Sequence, residues 1–389
     1  MARPHVDDFA GDEYYVDASG GSDLNAGTSD AAAWQTINHA ISTGIPGVGY
    51  NTTDGVRLNI KSNADHVITT PLTSGGTLYA QLNGGSAWSS AAGFIIQGYT
   101  STANDGGVGT IVNNCGGSVR FIEDSLSDYW SMFDLHVKTG TSSRLIRMDR
   151  NCFHMDCAFT DGATASTGDV IYTNVNSSFF RCYFQLAGAM RYSPKFVNCV
   201  FANNSSNPII NQLQIEVVNS LFIQYGSANK TAMCYAAPIG CAFVNVGTGT
   251  VTYGAYASGS NTGGIHHNYF ENVTTPIYIS TTKTTSSSIY NNLEYNCTNQ
   301  SVVYGATNTS GHSCLHEDVV TISASPFSAI SETGFTLGDG ANLLRDLNIG
   351  TDNGDGWSGT LKRFAGTGGP ITGGGASTPA AAVRHTRLK

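Results

Sequence analysis

The sequence predicts an all-β fold, a single-stranded right-handed parallel β-helix built as a solenoid with a short N-terminal capping helix and a C-terminal cap and tail. Three observations predict it. A five-residue unit recurs at a spacing of roughly 22 residues. Its third and fifth positions carry columns of like residues. The composition, with 46 Gly, 18 Tyr and 17 Phe in 389 residues, favours short strands joined by turns over long helices.

The unit reads Phe133-Asp134-Leu135-His136-Val137, Met155-Asp156-Cys157-Ala158-Phe159, Phe180-Arg181-Cys182-Tyr183-Phe184 and Val197-Asn198-Cys199-Val200-Phe201. It continues as Val218-Asn219-Ser220-Leu221-Phe222, Ile239-Gly240-Cys241-Ala242-Phe243, His266-His267-Asn268-Tyr269-Phe270 and Ile289-Tyr290-Asn291-Asn292-Leu293. Positions one, three and five are mostly apolar or small, the period-2 signature of a strand with one buried face. On that reading the third position is an inward Cys column that Asn268 and Asn291 extend as an amide ladder. The fifth is an inward Phe column with rings in offset contact about 4.8 Å apart. Cys157, Cys182, Cys199 and Cys241 are then buried spacers rather than nucleophiles or metal ligands. The step from 180 to 197 is short for one coil.

An open stack must be covered at both ends. Tyr14 to Asp17 reads as a strand, Gly20 to Thr28 as a turn-rich loop and Asp30 to Ile41 as a short helix. Asp30 is the expected N-cap, and Trp34, Ile37 and Ile41 form one apolar stripe over the first coil. The expected organisation is an arm (1–13), an N-terminal cap (14–45), the β-helix (46–325), a closing coil and cap (326–365) and a Gly/Ala-rich tail (366–389). The tail has no core-forming pattern. It is read as an assembly contact, its basic end (Arg384, His385, Arg387, Lys389) suiting an acidic partner, with a solvated terminus as the alternative.

Only 12% of residues are charged and the net charge is −9, so a basic nucleic-acid footprint is absent. No apolar run reaches membrane-spanning length, and the N-terminus shows no signal-peptide pattern. Nine cysteines, an odd count falling mostly one per repeat, fit neither a disulfide framework nor a CxxC metal motif. The expectation is a protein folded in a reducing cytoplasm.

The run from Tyr14 to Ile41 resembles the opening of many bacterial and phage right-handed β-helix proteins of the pectate-lyase-like superfamily. Phe94 to Tyr99 is similar to an early coil in those proteins, and Ser325-Pro326-Phe327 through Leu337, with Leu343-Leu344-Arg345, to their closing coil. The superfamily includes lyases, hydrolases, tailspikes and structural proteins, so the resemblance speaks to fold more than to activity. Its lyases use Ca²⁺ held by acidic residues with an Arg or Lys base, and its hydrolases use clustered Asp.

Within the repeat, the second position brings Asp134, Asp156 and Arg181 onto one outward face, near His136. They are the candidate catalytic residues, the carboxylates as acid/base or cation ligands and Arg181 as clamp or base. The alternative is a ladder in which Arg181 neutralises two carboxylates. Tyr183, Tyr269 and Tyr290, outward on the same reading, are candidate glycan-binding platforms, with Tyr192 and Tyr225 in nearby turns. His312, His316, Glu317 and Asp318 read as turn then strand, where i and i+4 lie about 13 Å apart, too far for one ion. His266 and His267, adjacent on a strand, are expected on opposite faces. No metal site is assigned, and no cofactor is expected unless the protein is a lyase, for which Ca²⁺ is implied.

Two functions follow. The first is a bacteriophage virion structural protein of spike, fibre or head-decoration type, located in the particle and made in the host cytoplasm. It uses a rigid shaft for assembly, as a homo-oligomer with a trimer favoured and with other virion proteins, and for surface or glycan attachment. The second is an extracellular polysaccharide lyase or glycoside hydrolase. Neither involves nucleic acid or membrane as partner.

Overall fold

Parallel strands stack from Asp12 to Thr321, confirming the β-helix. The computed structural model describes residues 9–48, 53–70, 93–117 and, apart from loops that include 124–129, 161–168, 281–288 and 305–318, residues 122–337. The first sheet has eleven parallel strands from Asp12–Val16 to Ile289–Tyr290, and the second has eleven from Asp65–Ile68 to Val319–Thr321. The third face is two four-stranded sheets, joined through Ile210, which bridges Met190 on one side and Cys234 on the other. His312, His316, Glu317, Asp318, Tyr192 and the tail lie outside the described residues.

The five-residue unit is a corner rather than one strand. Its second residue has left-handed backbone in coil after coil: Asp134, Asp156, Arg181, Asn198, Asn219, Gly240, His267 and Asn291 all have φ between 48° and 65°. The first sheet ends before that residue and the second begins after it. Gly, Asn and Asp adopt this conformation with least strain, and His is also enriched there. One coil earlier the residue beside Asp134 is Gly98, inside the strand Phe94–Tyr99, where a Cβ would sit 2.0 Å from the Asp134 carbonyl oxygen, so no larger residue fits.

The corner reverses the alternation assumed from sequence. Position one faces outward, and the inward residue of the first sheet is the one before it, giving a column His154, Phe179, Phe196, Val217, Pro238 and Ile265. Positions three and five do face the core, as predicted. The last unit is shifted by one residue, because Tyr290, not Ile289, pairs with His266. Asn292 therefore takes the third position in place of Asn291, and Glu294 follows Phe270 at the fifth.

Phe159, Phe184, Phe201, Phe222, Phe243 and Phe270 stack at 4.6–5.2 Å, with ring planes within 17° of parallel. Phe179 and Phe196 meet this column edge-on. Each such pair adds about 0.5–1.5 kcal/mol beyond the burial of its area.

The third-position column closes the hydrogen bonds that the corner interrupts. The Cys199 thiol donates to the Val197 and Phe179 carbonyls, and that of Cys241 to Ile239 and Val217. The Ser220 hydroxyl accepts from the Cys199 amide, and the Asn268 side chain from that of Cys241. Asn268 in turn donates to Asn292 from both its backbone and its side chain. Buried backbone groups must be paired, which explains why small side chains that can donate or accept occupy this column. Cys157, Cys182, Cys199, Cys234 and Cys241 are buried free thiols, and burial pushes the thiols of Cys157 and Cys199 up and that of Cys241 up to about 12.

The short step at 180–197 retains strands Tyr183–Gln185, Ala189–Arg191 and Lys195–Val197, so the coil is shortened in its turns. The predicted capping helix is two pieces. Ser29, not Asp30, caps a 3-10 turn at Asp30–Ala32, and Thr36 caps a second helical stretch that runs from Ile37 to Val48. Trp34 lies between them, bridged to Val16, because its indole is needed against Tyr14 at 5.3 Å. Trp34, Ile37 and Ile41 are buried, as the stripe required. Asp30 instead binds Lys61 at 2.6 Å and Tyr99 at 2.6 Å, tying the cap to the first coils. At the other end Phe327–Ser331 and Gly334–Leu337 form an antiparallel pair, not a stacked closing coil. Phe327 packs on Tyr269, on the outer side of the second sheet.

Candidate functional site

Asp134, Asp156 and Arg181 lie on successive coils as predicted, at the left-handed corner. Arg181 Nε and Nη2 donate to the two Asp156 carboxylate oxygens at 2.9 and 2.7 Å. Their side chains are 12% and 8% exposed. Asp134 has no exposed surface at all; its amide donates to the Met155 carbonyl, and its own carbonyl accepts from Gly109. The residue types at this position follow from the backbone conformation, and the charged groups are committed inside the wall. A calcium ion does not fit this set, since both Asp156 oxygens are engaged and Asp134 is enclosed. Among the described residues no three His, Cys, Asp or Glu side chains converge on one point.

The expected aromatic platforms are displaced in the same way. Tyr183 and Tyr269 are 2% and 0% exposed. They point away from the helix core, but the outer face of the second sheet is itself an apolar layer with Val200, Leu221, Ile223 and Phe327. The Tyr269 hydroxyl donates to Glu271 at 2.7 Å, and Ser325 donates to the same carboxylate at 2.8 Å. Neither ring offers a face to a sugar. Tyr290 is half-buried, stacked on His266 at 4.5 Å.

His266 and His267 meet, contrary to the opposite faces expected of strand neighbours. Left-handed backbone at His267 swings its ring back beside that of His266, and the two Nδ1 atoms are 2.9 Å apart. Asn291, at the next corner, reaches His267 Nε2 at 3.3 Å. Burial lowers the basicity of both rings, and for His266 the neighbouring imidazole lowers it further.

The third face holds an aromatic group that the repeat did not reveal. Tyr235, Tyr256 and Tyr278 lie on successive coils with centroids 4.7 and 5.0 Å apart and planes tilted by 45° and 31°, and Tyr253 stacks on Tyr278 at 4.5 Å and contacts Tyr256 at 5.7 Å. All four are half-buried. The third-face strands carry no Cys or Phe column to set their register, and the signal that could have found the group is the recurrence of Tyr235, Tyr256 and Tyr278 at steps of 21 and 22 residues.

No family model matches the chain, and no curated protein matches it. Among solved structures, a rhamnogalacturonan lyase is similar with a TM-score of 0.33 and 12% identity, over 83% of this chain and 92% of that one.

Proposed function

We propose that the protein is a rigid β-helical attachment shaft, of the kind a phage particle displays, that binds a polysaccharide chain along its third face. The tyrosine group at residues 235, 253, 256 and 278 carries this reading. Tyrosine gives a large amphipathic surface at little conformational cost. Contacts from coil to coil gather the four rings into one patch along the helix axis, suited to the CH groups and hydroxyls of a linear glycan. The all-parallel ladder and the phenylalanine column supply stiffness. Assembly into a homo-oligomer, with a trimer favoured, belongs to the same reading and is checked by light scattering.

The test is binding of the purified chain to a panel of immobilised bacterial polysaccharides, beside a Tyr256→Ala/Tyr278→Ala variant. Binding that falls at least tenfold in the variant, with the melting temperature retained, supports attachment at this face. Unchanged binding in the variant, or no polysaccharide bound by either protein, overturns it.

The second reading, a polysaccharide lyase or hydrolase, rests on the juxtaposition of Asp156 and Arg181. It requires glycan cleavage that Asp156→Asn abolishes.

A further inference from the structure

We propose that His266 and His267 form a chelating site for a divalent transition-metal ion with square or octahedral preference, Cu(II) above all, held through both Nδ1 atoms on the outer wall of the β-helix. Two nitrogens each about 2.0–2.1 Å from one ion lie about 2.9 Å apart when they subtend a right angle, and about 3.4 Å apart at a tetrahedral angle. The observed separation of 2.9 Å is the right-angle value. It arises from the corner: an extended residue at 267 would send the second ring to the opposite face, and the left-handed φ of 57° removes that separation.

The surroundings hold the pair in place. Tyr290 stacks on the His266 ring with planes 11° apart and meets His267 edge-on at 5.5 Å. With the Asn291 amide donating to His267 Nε2, the His267 proton sits on Nδ1 and bridges to His266 Nδ1. When an ion binds, the His267 proton moves from Nδ1 to Nε2, the Asn291 side chain turns over so that its Oδ1 accepts it, and the rings turn until both Nδ1 lone pairs meet the ion. Imidazole nitrogens suit Cu(II) and Ni(II), and both rings are half-buried at the surface, which leaves the other coordination positions to water or to an external ligand.

Neighbouring coils supply the test variants, since the same two positions hold Ile239 and Gly240 below and Tyr290 and Asn291 above. His267→Asn keeps a residue suited to left-handed backbone, and His266→Ile copies the coil below. The full chain is titrated with Cu(II) by calorimetry, and the bound ion is observed by electron paramagnetic resonance. The expected result is one ion per chain in this site, with hyperfine splitting from two equivalent nitrogens. In His267→Asn the splitting from the second nitrogen is lost and affinity falls at least ~10-fold, while the circular dichroism melt stays unchanged. The chain has ten histidines, so binding elsewhere is an outcome to separate. If the His266→Ile/His267→Asn double variant retains the stoichiometry, affinity and two-nitrogen spectrum of the parent, the copper sits elsewhere and the site is refuted.

Discussion

Arg181 stands one coil above Asp156 at the same corner, and its guanidinium takes both carboxylate oxygens, at 2.9 and 2.7 Å. Both side chains are mostly enclosed, so removing the carboxylate leaves the guanidinium without its bidentate acceptor, a larger loss than an exposed ion pair incurs. Asp156→Asn, which suits the left-handed backbone, is expected to lower stability by about 1–3 kcal/mol in urea unfolding, reduced from the fully buried case by access to water. The Asp156→Asn/Arg181→Asn double variant is expected to recover most of that loss. Asn219 and Asn198 already bond at this corner, at 2.6 Å, two coils further on. Equal destabilisation in single and double variants would show that the pair is not the source.

His154 lies in the inward column of the first sheet between Met132 and Phe179, fully buried, with neither ring nitrogen hydrogen-bonded among the described residues. It packs against Phe179 at 4.9 Å and Trp130 at 5.6 Å, and burial pulls its pKa down to about 3. An unfolded imidazole takes up a proton below about 6.5, whereas the folded one stays neutral until about pH 3. The unfolded state therefore binds more protons in that window. Stability is complete above pH 6.5 and declines as pH falls towards 3. His154→Phe continues the phenylalanine column and removes two unsatisfied nitrogens. It is expected to add about 1–3 kcal/mol at neutral pH and to flatten the acid side of the stability profile. A variant as acid-sensitive as the parent would mean that other groups control the decline.

How far the sequence revealed these features depends on how much of each coil repeats. Cys199 and Phe201 could be read as ladders because side chains that stack on their own kind are kept in register from coil to coil. The corner was hidden by its variety: Asp, Arg, Asn, Gly and His share a backbone conformation and no side-chain chemistry. Without that φ, Asp134 looked like a catalytic surface residue, and His266 and His267 looked separated. Tyr183 and Tyr269 were correctly placed pointing away from the core. Their burial comes from a second apolar layer that includes Phe327, far beyond both in the chain. Tyr235, Tyr256 and Tyr278 recur at steps of 21 and 22 residues, the period of the repeat, but they fall outside the five-residue unit by which the coils were aligned.

The phenylalanine column makes a prediction of its own. Phe222 has no exposed surface and stacks at 4.6 Å on Phe201 below and Phe243 above. Phe222→Leu keeps most of the apolar volume and loses both ring pairs, so about 1–3 kcal/mol of stability should go, from two pairs at about 0.5–1.5 each. Phe222→Ala adds a cavity and should cost about 3–5 kcal/mol. Denaturant unfolding of the two variants separates ring stacking from volume. A leucine variant as stable as the parent would show that the column contributes only as packed apolar matter.

Tyr256 offers the sharpest separation of ring from hydroxyl in glycan attachment. It is the middle ring of the patch, between Tyr235 at 4.7 Å and Tyr278 at 5.0 Å. Tyr256→Phe retains those ring contacts and removes one hydroxyl, so if a sugar chain is held by the hydroxyls, affinity should fall by roughly 3- to 10-fold, the value of about one hydrogen bond. Tyr256→Ala removes the ring contact as well and breaks the continuity of the patch, and should fall further. Surface plasmon resonance on whichever polysaccharide the parent binds gives both values. Equal losses in the two variants would place the recognition in the hydroxyl alone. A loss only in Tyr256→Ala would mean that the ring is what the glycan touches.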